Sequence, residues 1–384
     1  MRDNPVLRSR MWQAAALLLC ALFLASIARF YHPRFGFTAL IAFPAGEESE
    51  LPALAAIPHR EYPRQFTYDG QFYARLALEP LLRDPAIDRA LDQPGYRARR
   101  ILFSWTAWLA GLGRPAWVLQ AFALQNVVCW LVLAWVLTRW VPPRTGRLFA
   151  LWTACMFSHG LLWSVRFSLL DGPSLLLLAL AAIAAERQRI WSLASILGAA
   201  TLGRETNLIG AVMFAVPRRR ADWLRLAGAL TLVILPLAIW QDYLWSIYRS
   251  TSLTGSGQLS PPLVAWMANW SKSLAMVSRD GTASPGFRAL LVVFSLTVQL
   301  VFLLWAREPQ TPWWRLALGY GALMLIAHPV VWAGYPGAIT RVVLPLTIGF
   351  NIQLRGQGRS FWIWYVLGNL HLIPARVLLP GFSL

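Results

Sequence analysis

The feature that most restricts this chain is a succession of apolar runs separated by short arginine clusters. The runs cover 11–30, 116–138, 148–165, 169–185, 190–203, 206–217, 223–243, 288–306, 313–330, 339–354 and 361–379. Several approach the roughly 20 residues that a helix needs to cross a bilayer core. Of the 384 residues, 57% are hydrophobic and 14% charged, against about 45–50% and about 25% in soluble domains. The expected fold is an all-α polytopic integral membrane protein with about 11 transmembrane helices, one membrane domain over 1–384.

The net charge of +18 could signal nucleic-acid binding, but the arginines form no single stripe. With the N-terminus inside, the cytoplasmic loops hold Arg139, Arg144 and Arg147, then Arg187 and Arg189, then Arg218, Arg219 and Arg220, then Arg307, then Arg355 and Arg359. Every cluster therefore obeys the positive-inside rule. Nucleic acid is excluded as a partner. The three cysteines, Cys20, Cys129 and Cys155, lie inside apolar runs, so neither a disulfide framework nor a metal site is expected. Segment 11–28 follows Arg2, Arg8 and Arg10 and contains "ASIA". Because many spans follow, it reads as a retained signal anchor rather than a cleaved signal peptide.

Segment 101–113, "ILFSWTAWLAGLG", spans only about 20 Å as a helix. Counting it as a crossing would put every later arginine cluster outside. The sequence instead predicts an interfacial helix with Trp105 and Trp108 at headgroup level. The pair 190–203 and 206–217 is also short, so "GRET" between them is expected to dip below the outer surface.

Two outer loops remain, 31–115 and 244–287, the second rich in Ser, Gly and Trp. Residues 31–100 carry nine of the 17 acidic side chains. In "RDPAIDRALDQPGY", Asp84 is expected to cap a helix with Pro85 at its first position, ended by Gln93-Pro94-Gly95. Asp84, Asp88 and Asp92 would then share one face, which reads as solvated rather than as a cation site. In "YDGQFYARLALEP" a helix starting near Gly70 would place Phe72, Tyr73, Leu76 and Ala77 on one face, with Gln71 and Arg75 elsewhere. Asp69 at its start is either an N-cap or a general base held near the membrane surface. Asp171, in "RFSLLDGPS", reads as an N-cap before Pro173, with Arg166 beside it as an ion-pair partner or anion ligand. His159 falls within a span, where a hydrogen-bonding role in the core is expected.

The aromatic-Asp-Gly-x-aromatic-Tyr pattern at 68–73, placed after a first span, resembles the GT-C superfamily of polytopic glycosyltransferases. Three further stretches carry the resemblance. "RARRILFSWTAWLAGLG" is similar to the amphipathic helix before the family's second span, and "GAATLGRETNLIGAVMFAVPRRR" to its helix, polar turn and returning helix. "ITRVVLPLTIGFN" is similar to the late Arg-aromatic-Leu-Leu-Pro-Leu helix, with Val342 where the aromatic usually stands. Within the superfamily, 68–113 resembles a bacterial group described as cell-surface glycopolymer formation proteins.

The resemblance implies an inverting transfer of a sugar from a polyprenyl-phosphate carrier to a glycan or glycolipid acceptor, on the periplasmic face of a bacterial inner membrane. It implies Asp69 as catalytic base, Arg341 and Arg204 as donor phosphate ligands, and Tyr68, Gly70, Phe72, Tyr73, Glu205, Asp171 and Arg166 as substrate contacts. Other glycopolymer assembly proteins are implied as partners. Some relatives use a divalent cation near the loop aspartate and others do not, so a cation stays open and no metal ligand is assigned. Two alternatives remain. One is a lipid-pyrophosphate-dependent glycopolymer ligase or polymerase, in which Arg204, Arg279 and His328 would matter more. The other is a non-catalytic transporter or flippase of lipid-linked sugars. No DxD, P-loop, GxGxxG or HExxH motif is present, so a cytoplasmic nucleotide-sugar donor has no support.

Overall fold

The computed structural model describes residues 5–46, 51–216, 219–248 and 258–375. Arg218, Glu47, Glu48 and Glu50 therefore lie outside the described residues, as does the end of the expected span 361–379. The described residues are mostly helical, as expected where backbone polar groups must be satisfied within each segment. A two-residue parallel ladder pairs Phe43 with Glu61 and Pro44 with Tyr62. The chain divides into two compact units, one of 1–25, 133–163 and 257–384, the other of 26–132 and 164–256.

Among the described residues, four helices are long and apolar enough to cross a membrane: Val6–Ala28, Pro115–Leu137, Arg220–Ile247 and Pro285–Ala306. The expected span 148–165 is a pair, Gly146–Met156 and His159–Arg166, bent by 45° at the break. Helices Ile190–Gly203 and Leu344–Leu354 are apolar but shorter.

The expected helix over 206–217 does not form as such. Glu205–Met213 is instead wound as a 3-10 helix. The switch follows from Arg204, which ends the preceding helix in an extended conformation. Asn207 then donates from its side chain to the Ala200 carbonyl at 2.8 Å, which also accepts from the Arg204 N–H at 3.0 Å, so the polar turn is tied back to that helix end. Residues 339–354 also break, into Ile339–Val342 and Leu344–Leu354, with Pro345 in the first turn of the second. The segment 244–287, read from sequence as an outer loop, contains a 17-residue helix, Val264–Asp280. Trp266 and Trp270 meet edge to face along it with ring centroids 6.4 Å apart, the neighbour spacing of a helix surface.

In the first unit, hydroxyl caps and prolines set the helix starts. Thr145, Ser284 and Thr311 accept from Leu148, Phe287 and Trp314 backbone N–H groups, and prolines open the last two helices. A buried polar seam ties helix Pro285–Ala306 to Leu344–Leu354 and to the end of Phe361–Gly368. Asn351 and Asn369 exchange amide hydrogen bonds at 3.0 Å, and Gln299 joins Thr347 to the Gly368 carbonyl.

In the second unit, four short helices follow the ladder: Gly70–Leu78, Ala86–Ala90, Pro94–Ala98 and Leu102–Ala110. Asp84 accepts from the Ala86 N–H at 2.8 Å, as its capping role requires. The helix it starts ends at Ala90, and Pro94 opens the next one rather than closing the first. Asp92 therefore lies outside the helix and shares no helical face with Asp84 and Asp88. Leu102–Ala110 is nine residues long, too short to cross a bilayer, with Phe103, Ser104 and Ala107 buried and Trp108 exposed. Trp105 donates to the Pro80 carbonyl and packs edge to face on Trp240.

Candidate active site

Asp69 stands at the N-terminus of helix Gly70–Leu78 but makes no side-chain capping bond to it. Its carboxylate accepts instead from Arg97 Nη2 at 3.0 Å, and 27% of the side chain remains exposed. Arg97 is held in turn by Asp92 through two bonds, Nε to Oδ1 at 2.8 Å and Nη2 to Oδ2 at 2.7 Å. This fork-on-fork geometry is the strong, orienting form of the arginine–carboxylate pair. The guanidinium also lies over the Phe72 ring, 4.6 Å from its centroid. Asp69 is therefore an aimed carboxylate, with Asp92 and Phe72 fixing the arginine that aims it.

A second cluster adjoins the first along the same helix. Arg100 forks onto Glu205 at 2.6 and 2.9 Å, and donates to Tyr73 Oη at 3.1 Å and Tyr96 Oη at 2.8 Å. Arg99 stands 4.0 Å from the same glutamate. Burial alone would raise the Glu205 carboxyl, but Arg100 and Arg99 outweigh it and hold the group well below the usual carboxylate range. Burial likewise raises the Tyr73 phenol, and Arg100 with Arg97 reverses the sign, leaving it below its ordinary value.

Several expected contacts take other roles. Arg204 and Glu205 do not pair with each other: Arg204 pairs with Asp171, whose side chain is 2% exposed. Asp171 is thus an ion-pair partner rather than a cap. Arg166 does not pair with Asp171, but donates to the Ala39 carbonyl at 3.2 Å and lies over Phe30 and Phe167. Gly70 leaves no room for a substrate, because a Cβ there would press on the Phe167 carbonyl oxygen. Tyr68 packs on the Phe167 ring. Tyr73 is 2% exposed and the Phe72 face carries Arg97, so these rings serve the ion-pair network rather than an open sugar platform. Gln71 and Arg75, expected on another face, are also buried, Arg75 bridging Gln71 Oε1 and the Ala90 carbonyl.

Arg341 belongs to the other unit, in helix Ile339–Val342. Gly160 lies against the Thr340 carbonyl and the Arg341 Cα, where no side chain fits. His159 bonds the Thr340 hydroxyl at 3.0 Å, the core role expected for it. In that unit Arg279 pairs with Asp280, and His328 accepts from the Val330 N–H.

The residues that sequence reasoning missed are Arg97, Arg100 and Asp92. Their signal was visible in "GYRARR", three arginines in four positions just before the short helix at 102–110. A divalent cation does not fit beside Asp69, since its neighbour is a guanidinium. Among the described residues no group of three or more His, Cys, Asp or Glu side chains converges.

Replacing Asp92 with Asn removes one charge from the fork and frees Arg97 to turn. If Asp69 acts as a base, the expected result is a roughly tenfold lower kcat with KM changed less, the size of one charge-assisted hydrogen bond. Steady-state kinetics checks this, and an unchanged kcat would remove Arg97 as the group that aims Asp69.

No family model matches the chain and no curated relative does. The chain is similar to a solved structure, ArnT from Cupriavidus metallidurans in the apo state, at a TM-score of 0.49 and 14% identity. The match covers 92% of this chain and 63% of that one, so this protein spans less than two thirds of its length.

Proposed function

We propose that this protein is an inverting membrane glycosyltransferase that moves a sugar from a polyprenyl-phosphate carrier to a cell-surface glycopolymer or glycolipid acceptor. The observation that carries the reading is Asp69, a carboxylate at a helix start that leaves its helix uncapped and is aimed by Arg97 instead. In the proposed step an acceptor hydroxyl attacks C1 while the bond from C1 to the phosphate oxygen breaks. Asp69 takes the hydroxyl proton, and the lipid phosphate leaves with the electron pair. A single displacement inverts the anomeric centre.

Arg341 keeps the phosphate-binding role that its motif implies, by the suitability of a guanidinium for a departing phosphate. Arg204, tied to Asp171, is assigned to holding the polar turn. The reading includes a polytopic topology with the N-terminus in the cytoplasm, which would put helix Gly70–Leu78 on the periplasmic face of an inner membrane.

The test uses sealed proteoliposomes of the full chain, with polyprenyl-monophosphate and polyprenyl-pyrophosphate sugars as donors. Transfer from the monophosphate donor, with inversion and with acceptor supplied only to the face bearing residues 31–115, is the expected result. Transfer from the pyrophosphate donor alone would replace the reading by that of a ligase or polymerase. Donor translocation without product would replace it by a flippase.

A further inference from the structure

We propose that a groove between the turn at 32–37 and the segment at 55–61 binds a carbohydrate bearing a carboxylate or phosphate. As the acceptor of transfer this ligand rests on the glycosyltransferase reading, whereas its binding does not. The groove has a volume of about 530 Å³ and is lined by Arg34, Phe35, Ile57, His59, Arg60 and Glu61, among others. That size falls within the roughly 300–1,000 Å³ of small-molecule sites.

Its walls are built rather than incidental. Gly36, at φ +57°, lets the turn close between His32 and Gly36, whose backbones bond in both directions. Gln120 fills the space that a side chain on Gly36 would need. It accepts from the Phe37 N–H at 2.8 Å and donates to the Phe35 carbonyl at 3.1 Å. Thr38 then joins the two walls, its hydroxyl donating to Phe35 O and accepting from the Arg60 N–H, both at 3.0 Å. The second wall runs on into the ladder at Glu61. A ligand therefore meets a surface whose ordering is already complete, which favours affinity.

Arg34 and Arg60 stand one on each wall, exposed, and neither is ion-paired among the described residues. Arg34 lies over the Phe35 ring at 5.5 Å and Arg60 over the Tyr62 ring at 5.7 Å, which limits where each guanidinium can point. Beneath them His59 packs edge-on to Phe43. Its Nδ1 lies 2.8 Å from the Ile57 carbonyl. Because a carbonyl only accepts, Nδ1 carries the hydrogen and Nε2 faces Glu61, 3.8 Å away. Two guanidiniums, Arg34 and Arg60, oppose one carboxylate, Glu61, so the groove is net positive.

This set recognises two things at once. The arginine forks match a carboxylate or phosphate. Glu61 accepts from hydroxyls, and Phe35 offers an apolar face to a ring. A bare anion would use only the first of these, and a neutral sugar only the second.

The experiment titrates the full chain in uncharged detergent with glucose 6-phosphate, glucuronate, glucose and inorganic phosphate, reading binding by calorimetry without donor. Glucuronate and glucose 6-phosphate separate the carboxylate source from the phosphate source. At least one should bind about tenfold or more tighter than both glucose and inorganic phosphate, the scale of a single charge-assisted contact. The double variant Arg34→Gln with Arg60→Gln should lose about tenfold or more of that affinity with an unchanged Tm. Equal affinity for glucose, equal affinity for inorganic phosphate, or full binding by the double variant would each overturn the proposal. Since no donor is present, failure of transfer and failure of this site are read separately.

Discussion

Asp69→Asn is expected to lower transfer by about 10²- to 10⁴-fold, the range supplied by a positioned general base. The substitution isolates the proton-accepting role from everything else Asp69 does. Asparagine has the same shape, and its amide oxygen can still accept from Arg97 Nη2, which now lies 3.0 Å from the carboxylate. No capping bond is lost, because none exists. The loss should therefore fall on kcat in a single-turnover assay, with donor affinity and Tm close to those of the parent. Turnover equal to the parent would remove Asp69 as the base. A parallel collapse of Tm would instead assign the carboxylate a structural role.

The largest effect on stability is expected at Asp171. Its side chain is 2% exposed and that of Arg204 is 10% exposed, so replacing Asp171 with Ala leaves a guanidinium buried without this carboxylate. Breaking a buried pair in this way costs about 3–5 kcal/mol, seen as a lower Tm or as loss of folded protein in detergent. Replacing both partners, Asp171→Leu with Arg204→Met, should recover much of the loss, because the desolvation cost of both charges disappears together. The double variant also separates the two roles open to Arg204. Transfer retained in the refolded double variant fits an arginine that holds the polar turn. Transfer abolished there, with Tm restored, would return Arg204 to the donor phosphate.

The sequence carried the local structure well and the pairings poorly. Asp69 at a helix start, Asp84 as a cap, the short helix at 102–110 and the core role of His159 could all be read from neighbours a few positions away. The aromatics at 68–73 were legible as a cluster but not in their use. Whether a ring faces a sugar or an arginine depends on Arg97, 28 residues from Asp69. The same limit hid the partner of Glu205, which lies 105 residues away at Arg100.

Apolar length, hydroxyl caps and proline act within one or two helical turns, so the sequence alone determined that this chain is a series of apolar helices with an acid-rich segment after the first. The break at 156–159, the 3-10 winding of Glu205–Met213 and the helix inside 244–287 were settled by packing and by how backbone groups are satisfied at helix ends. Ion pairs are decided later still. Each buried guanidinium must find a carboxylate or bear its desolvation cost, and which one it finds is fixed only when distant segments have been brought together. That choice left Asp69 facing Arg97, Arg204 facing Asp171, and Arg34 and Arg60 facing an open groove.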